Sequence, residues 1–200
     1  MLNHKAKNME QIKKHIEVYT EANPNPNSLK FVANFLISPD NNSYDFESVQ
    51  STENSPLAKE LFAHKFVERV FIMNNFVTVT KDEKSEWADI IPKLKKTIKN
   101  YLESGEDVIR KSQNDANEIQ DSDPEEVKKI KEILNEYIRP AVEMDGGSIQ
   151  FSNYNDGVVK VELHGACSGC PSSKLTLKSG IENLLKRFMP QVKEVVAESK

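Results

Sequence analysis

The chain has 200 residues, 38% of them hydrophobic and 29% charged, with a formal net charge of −4; that is the make-up of a globular protein holding one domain or two small ones. The charge is too small to favour nucleic acid, and no lysine or arginine cluster with interleaved aromatics accompanies it. No stretch approaches the roughly 18 apolar residues of a membrane span, and two cysteines only three positions apart cannot build a disulfide framework.

In chain order, residues 1–22 read as an N-terminal extension. Lys5, Lys7, Lys13 and Lys14 alternate with Glu10 and Glu17 there, without the apolar run and small-residue cleavage site of a signal peptide. The expectation is a soluble protein of a reducing compartment, most simply the bacterial cytoplasm, although a processed organellar protein would look the same. Residues 23–102 read as an α+β domain. The turn-prone Asn23-Pro24-Asn25-Pro26-Asn27 leads into a strand at Leu29, Phe31 and Ala33. Ser55-Pro56 opens a short helix with Leu57, Leu61 and Phe62, because proline is welcome at a first helical position. Val67 to Thr80 is β-rich and broken by Asn74-Asn75, a hairpin turn in which asparagine tolerates positive φ. Ile90, Ile91, Leu94, Ile98, Tyr101 and Leu102 follow helical spacing up to a stop at Ser104-Gly105.

Residues 103–123 carry 7 acidic and 2 basic side chains, with Val108, Ile109, Ala116 and Ile119 as their apolar content. The flanking segments are nearly neutral: 14 basic against 13 acidic in residues 1–102, and 11 of each in 124–200. So acidic a stretch reads as a flexible linker, spanning about 25 Å if fully mobile. The second domain, 124–200, opens with a helix: Ser122 or Asp123 as N-cap, Pro124 at the first position and Glu125 or Glu126 closing a capping box. Val127, Ile130, Leu134, Tyr137 and Ala141 form its buried stripe, and the helix should stop or kink near Arg139-Pro140 and end by Gly146-Gly147. A strand with Ile149 and Phe151, a turn at Asn155-Asp156-Gly157, and a second strand with Val159, Val161 and Leu163 follow. Leu177, Ile181, Leu184, Leu185 and Phe188 give a last helix, and Val192 to Val196 a last strand.

The chemistry is concentrated in His164-Gly165-Ala166-Cys167-Ser168-Gly169-Cys170-Pro171-Ser172-Ser173, between a predicted strand and a predicted helix. Unpaired backbone N–H groups and the positive dipole end at a helix start favour thiolate over thiol. The spacing lets both sulfurs face one ion or one cluster edge, while Gly165 and Gly169 permit backbone conformations that a side chain would obstruct. Two thiolates do not complete a site that wants four ligands; a two-fold dimer would bring in the missing pair. Spacing alone leaves open a thiol–disulfide oxidoreductase, with Cys167 as nucleophile and Cys170 as resolving thiol, and a structural zinc shared between subunits. His164 reads as an exposed strand-end residue rather than a ligand, and Asp145-Gly146-Gly147 as a turn, lacking the context of a phosphate loop.

Longer runs narrow the choice. Arg139-Pro140, Asp145-Gly146-Gly147, the run Gly165 to Ser173, Thr176 to Glu182 and Pro190-Gln191-Val192 together resemble the NifU-like domain of Nfu-type iron–sulfur cluster scaffold and carrier proteins. Asn23 to Phe31, Ser55 to Ala58 and Phe76 to Thr80 are similar to the accessory N-terminal domain of the same family. The resemblance implies no catalysis. It implies a 4Fe-4S cluster, with 2Fe-2S as the lesser option, bridging a homodimer through Cys167 and Cys170, received from upstream assembly machinery and delivered to apo-protein clients. One departure is Ser148, where the family commonly carries Asp after the paired glycines. With no catalytic constellation in the first domain, client recognition is its expected role.

Overall fold

A computed structural model of the chain describes residues 15–38, 42–110, 117–168 and 171–199. The first domain is a five-stranded sheet in the order β1-β2-β5-β4-β3, every neighbouring pair antiparallel: β1 Val18–Ala22, β2 Ser28–Ala33, β3 Ser43–Phe46, β4 Val67–Met73 and β5 Phe76–Lys81. Period-2 alternation sorts its side chains cleanly. Leu29, Phe31, Tyr44, Val70, Ile72, Val77 and Val79 point to one face, where helices α1 (Pro56–Phe62) and α2 (Trp87–Ser104) bury them with Leu57, Leu61, Leu94 and Ile98. The Ser55 hydroxyl caps α1 by accepting the Ala58 amide at 3.2 Å, and Asn74 takes the positive φ of 47° that the two-residue β4–β5 turn needs.

Two strands escape the sequence pattern. β1 lies within the expected N-terminal extension, and its side chains alternate too weakly to announce it; pairing with β2 makes residues 18–22 part of the sheet. Ile16 of that extension joins the first core, and residues 1–14 lie outside the described residues. β3 has only four residues, Tyr44 and Phe46 facing the core and Ser43 and Asp45 the other way.

The expected linker is anchored at both ends. Val108 and Ile109 complete the first core, Tyr101 donates to the Asp107 carbonyl at 2.9 Å, and the Arg110 amide donates to Asn54. Beyond residues 111–116, which lie outside the described residues, Asn117 is buried: its side chain donates to the Ile149 carbonyl at 2.6 Å and accepts the Phe151 amide at 2.7 Å. Apolar and amide groups inside an acidic stretch thus give each domain something to hold.

The second domain has a three-stranded sheet, β6 (Gly147–Asn155), β7 (Val158–Gly165) and β8 (Glu194–Ser199), in which β7 pairs antiparallel with β6 and parallel with β8. A parallel neighbour requires a crossover, supplied by α5 (Pro171–Phe188). The entering helix runs as α3 (Glu125–Ile133), a π-helical turn over Leu134–Ile138, and α4 (Arg139–Met144). Pro140 cannot donate to a carbonyl one turn back, and the wider π turn absorbs that loss without ending the helix. The expected capping box does not form. Pro124 itself is the N-cap, and Asp123 accepts from Lys131 Nζ at 2.8 Å and from the Gln120 amide. Ile130, Leu134, Val142, Ile149, Val161, Ile181 and Leu185 make a second core that shares no residue with the first.

Candidate metal centre

β7 ends at Gly165 and α5 begins at Pro171, so the cysteine segment is a strand-to-helix loop, as its composition suggests. Gly165 has a φ of +67°, which turns the chain out of the strand, and the Ser168 amide and hydroxyl both donate to its carbonyl, at 3.2 and 2.8 Å. The Ala166 amide donates to Gly146, tying the loop to the Asp145-Gly146-Gly147 turn at the end of α4.

Cys167 is 6% exposed and packs into the second core, lining a cleft of about 390 Å³ with Val142, Ala166 and Leu177. Its sulfur rests over Gly147, where an added Cβ would stand 3.0 Å from Sγ and 2.5 Å from the His164 carbonyl oxygen. The missing side chain of Gly147 is therefore the seat of the sulfur. Cys170, the second expected ligand, and Gly169 lie outside the described residues. Among the described residues no group of three or more His, Cys, Asp or Glu could hold a metal ion. The described donor is the sulfur of Cys167, which as thiolate is matched to soft metals and to iron–sulfur clusters.

His164 is not the exposed strand-end residue expected from its position. It is 8% exposed, its Nδ1 stands 3.3 Å from Asp45 Oδ2, and its Nε2 is buried without a hydrogen-bond partner. Asp45 belongs to the other domain. Its carboxylate receives two hydrogen bonds from Arg69, each 2.8 Å, and one from the Gly165 amide, also 2.8 Å. Burial alone would raise the Asp45 carboxyl, but hydrogen bonds from His164 and Arg69, the Arg69 charge and the Gly165 amide hold it below the usual carboxylate range.

A depressed folded-state value means that Asp45 stabilises the fold fully above the unfolded carboxylate range, about pH 4, and loses that contribution as pH falls through its own lower value. Thermal unfolding between pH 6 and pH 2 should show this acid-side decline. It should be shallower for Asp45→Asn, which cannot titrate; identical slopes would rule the assignment out.

Other outward-facing groups of the first domain meet the cysteine loop and the end of α4 in the same way. Thr78 donates to the Gly146 carbonyl at 2.8 Å, Asn25 Nδ2 to Ala166 at 3.3 Å, and Lys30 Nζ to Glu143 and Met144 at 3.4 Å each, where the carbonyls at the end of α4 favour a cation. Ser148, the departure from the family pattern, is buried and donates to Ser43 Oγ at 2.9 Å. None of these partners was visible in the sequence, since each lies more than a hundred residues from the cysteines or belongs to a separate motif. The alternation of Ser43-Tyr44-Asp45-Phe46 was the one available signal.

The architecture is a pair of α+β domains, the second presenting a cysteine loop between a strand and a helix. Residues 18–105 match the family described as Scaffold protein Nfu/NifU N terminal, and residues 130–196 match the NifU-like domain. The chain belongs to the Nfu/NifU scaffold protein family. It is 42% identical over 184 residues to a protein of Drosophila willistoni named NFU1 iron-sulfur cluster scaffold homolog, mitochondrial, and covers 64% of that protein with 92% of its own length. A protein of the same name from Drosophila persimilis is 41% identical, with 92% of this chain and 65% of that one covered. The solution structure of a NifU-like protein from Saccharomyces cerevisiae aligns with 56% of this chain and 100% of its own, at 27% identity and a TM-score of 0.46. The mitochondrial naming of these relatives overturns the bacterial-cytoplasm expectation. That expectation rested on reading residues 1–20 for a signal-peptide pattern, and the physics of a folded domain does not encode its compartment.

Proposed function

We propose that the chain is an iron–sulfur cluster scaffold and carrier of a mitochondrial setting, in which Cys167 and Cys170 from each of two copies supply four thiolates to one bridging 4Fe-4S cluster. The cluster is cargo: it arrives from assembly machinery and leaves to apo-protein clients. The observation that carries this reading is ligand number. Each chain has two cysteines, three positions apart, on a loop whose match to the NifU-like domain is accompanied by a match to the Nfu N-terminal domain. A 4Fe-4S cluster held by cysteine takes four thiolates, so sharing between identical chains completes it. A shared cluster at an interface is released by parting the subunits, which suits a carrier and requires no catalytic residue.

Anaerobic reconstitution with ferrous iron, sulfide and a thiol reductant, followed by size-exclusion chromatography with iron and sulfide analysis, tests this. The expected product is a brown dimer with about four irons per two chains. A fully loaded cluster on a strict monomer, or a reversible disulfide with reductase activity and no iron uptake, would remove the reading.

A further inference from the structure

The outward face of the first sheet bonds the main chain of the second domain. Its polar groups Lys30, Asp45 and Thr78, together with Asn25 at the entry to β2, each contact a main-chain atom of the other domain. Those atoms fall in two short segments, Glu143 to Gly146 at the end of α4 and Gly165 to Ala166 at the start of the cysteine loop, from which Asp145 and Ala166 line the cleft that holds Cys167. Two glycines make the contact possible: a Cβ on Gly146 would come within 2.8 Å of Thr78 Oγ1, and one on Gly165 within 2.8 Å of the Phe71 ring. Pro24 and Asn25 of the first domain line the cleft onto which Cys167 opens. The two domain cores are separate clusters, and a third, Val32, Phe71, Met73 and Phe76, lies buried on this outward face with Phe71 against Gly165, so parting the junction uncovers that apolar patch while leaving both domain cores intact.

We infer that the first domain is a guard over the cysteine loop: docked as described here, it occupies the approach to Cys167 that a second copy must use, and it must swing away before two loops can pair. The inference rests on the cluster-sharing reading above and names the regulation of that same site. Four sulfurs around one cluster require the two loops to face each other closely, with nothing between them. Asn25, bonded to the carbonyl next to Cys167, stands in that space. The docked chain is thus the apo, monomeric state, and loading is gated by domain opening. Ser148 suits the docked state, because the buried hydroxyl pairs with Ser43, whereas a carboxylate would be placed beside a site that already buries Asp45.

The test uses the full-length chain and two junction variants, Thr78→Val and Ser148→Asp, neither of which touches a proposed ligand. The Gly165 amide, which donates to Asp45, reports docking by hydrogen exchange whether or not iron is present. In the apo protein each variant should raise its exchange rate about tenfold, the effect of losing one buried hydrogen bond. Each should also speed anaerobic cluster uptake by about the same factor, and the loaded wild-type dimer should lose Gly165 protection altogether. Faster exchange with unchanged or slower uptake would overturn the guard while leaving the cluster reading intact. So would a loaded dimer that keeps Gly165 as protected as in the apo chain. Should neither variant nor wild type take up iron, the cluster reading itself falls, and the guard role with it. The two variants act on opposite sides of the junction, so a folding failure in one leaves the other decisive.

Discussion

Replacing Cys167 by serine should reduce retained iron to background and leave the protein monomeric after reconstitution. In a site shared by two copies each substitution is counted twice, so one mutated position removes two of four ligands from the assembled centre. A serine hydroxyl ionises far above neutral pH and cannot replace the thiolate charge that holds iron. The fold should survive: Cys167 packs as a small apolar group in the second core, and exchanging sulfur for a buried hydroxyl costs about 1–3 kcal/mol. Circular dichroism and a thermal melt separate the two effects, and Cys170→Ser should match Cys167→Ser in iron content. Diluting the loaded wild-type protein gives a sharper version. A shared site predicts that iron retained per chain falls with protein concentration as the subunits part, whereas a site complete in one chain predicts no such dependence. Undiminished brown colour in either single variant would end the shared-thiolate proposal.

The sequence announced the parts of this molecule that depend on local pattern. Ser55-Pro56, Asn74-Asn75, Asn155-Asp156-Gly157 and Gly105 each punctuate the chain by conformational preference, and each marks a helix start, a turn or a helix stop in the structure. The strand-to-helix setting of the cysteine loop was legible for the same reason. What stayed hidden depends on distant partners. Nothing near Asp45 in sequence says that its carboxylate will meet Arg69, His164 and the Gly165 amide, and β3 is too short for alternation to stand out. His164 is buried because the first domain covers this strand end through Asp45, which no residue near His164 in sequence encodes. The acidic stretch 103–123 misled in a related way: composition averages over a window, while two apolar residues, Val108 and Ile109, suffice to seat one end.

Gly147→Ala is expected to be among the most damaging single-methyl additions in the chain, and its damage should fall on the metal site as well as on stability. The added Cβ would lie 2.5 Å from the His164 carbonyl oxygen, across the β6–β7 pairing, and 3.0 Å from Cys167 Sγ. A backbone oxygen fixed in a strand cannot step aside as the end of a flexible side chain can, so relief must come from separating the strands or displacing the sulfur. Overpacking of that kind costs about 1–3 kcal/mol, which corresponds to a fall in Tm of roughly 2–12 °C for a protein of this length. Relief through the sulfur moves Cys167 away from its seat, so iron retention should drop at least about tenfold even at temperatures where the variant is fully folded, a loss of 1.4 kcal/mol in ligand geometry being enough. Gly180→Ala is the matched comparison. Gly180 lies inside α5 with nothing within 4 Å of an added Cβ, so the same methyl should stabilise by about 0.5–1 kcal/mol through the unfolded chain and the helix backbone. Thermal melts and iron analysis of the two variants side by side decide the matter. If Gly147→Ala melts and loads as wild type does, the sulfur is not seated where the structure puts it, and the cradle formed by the paired glycines has no part in holding the metal.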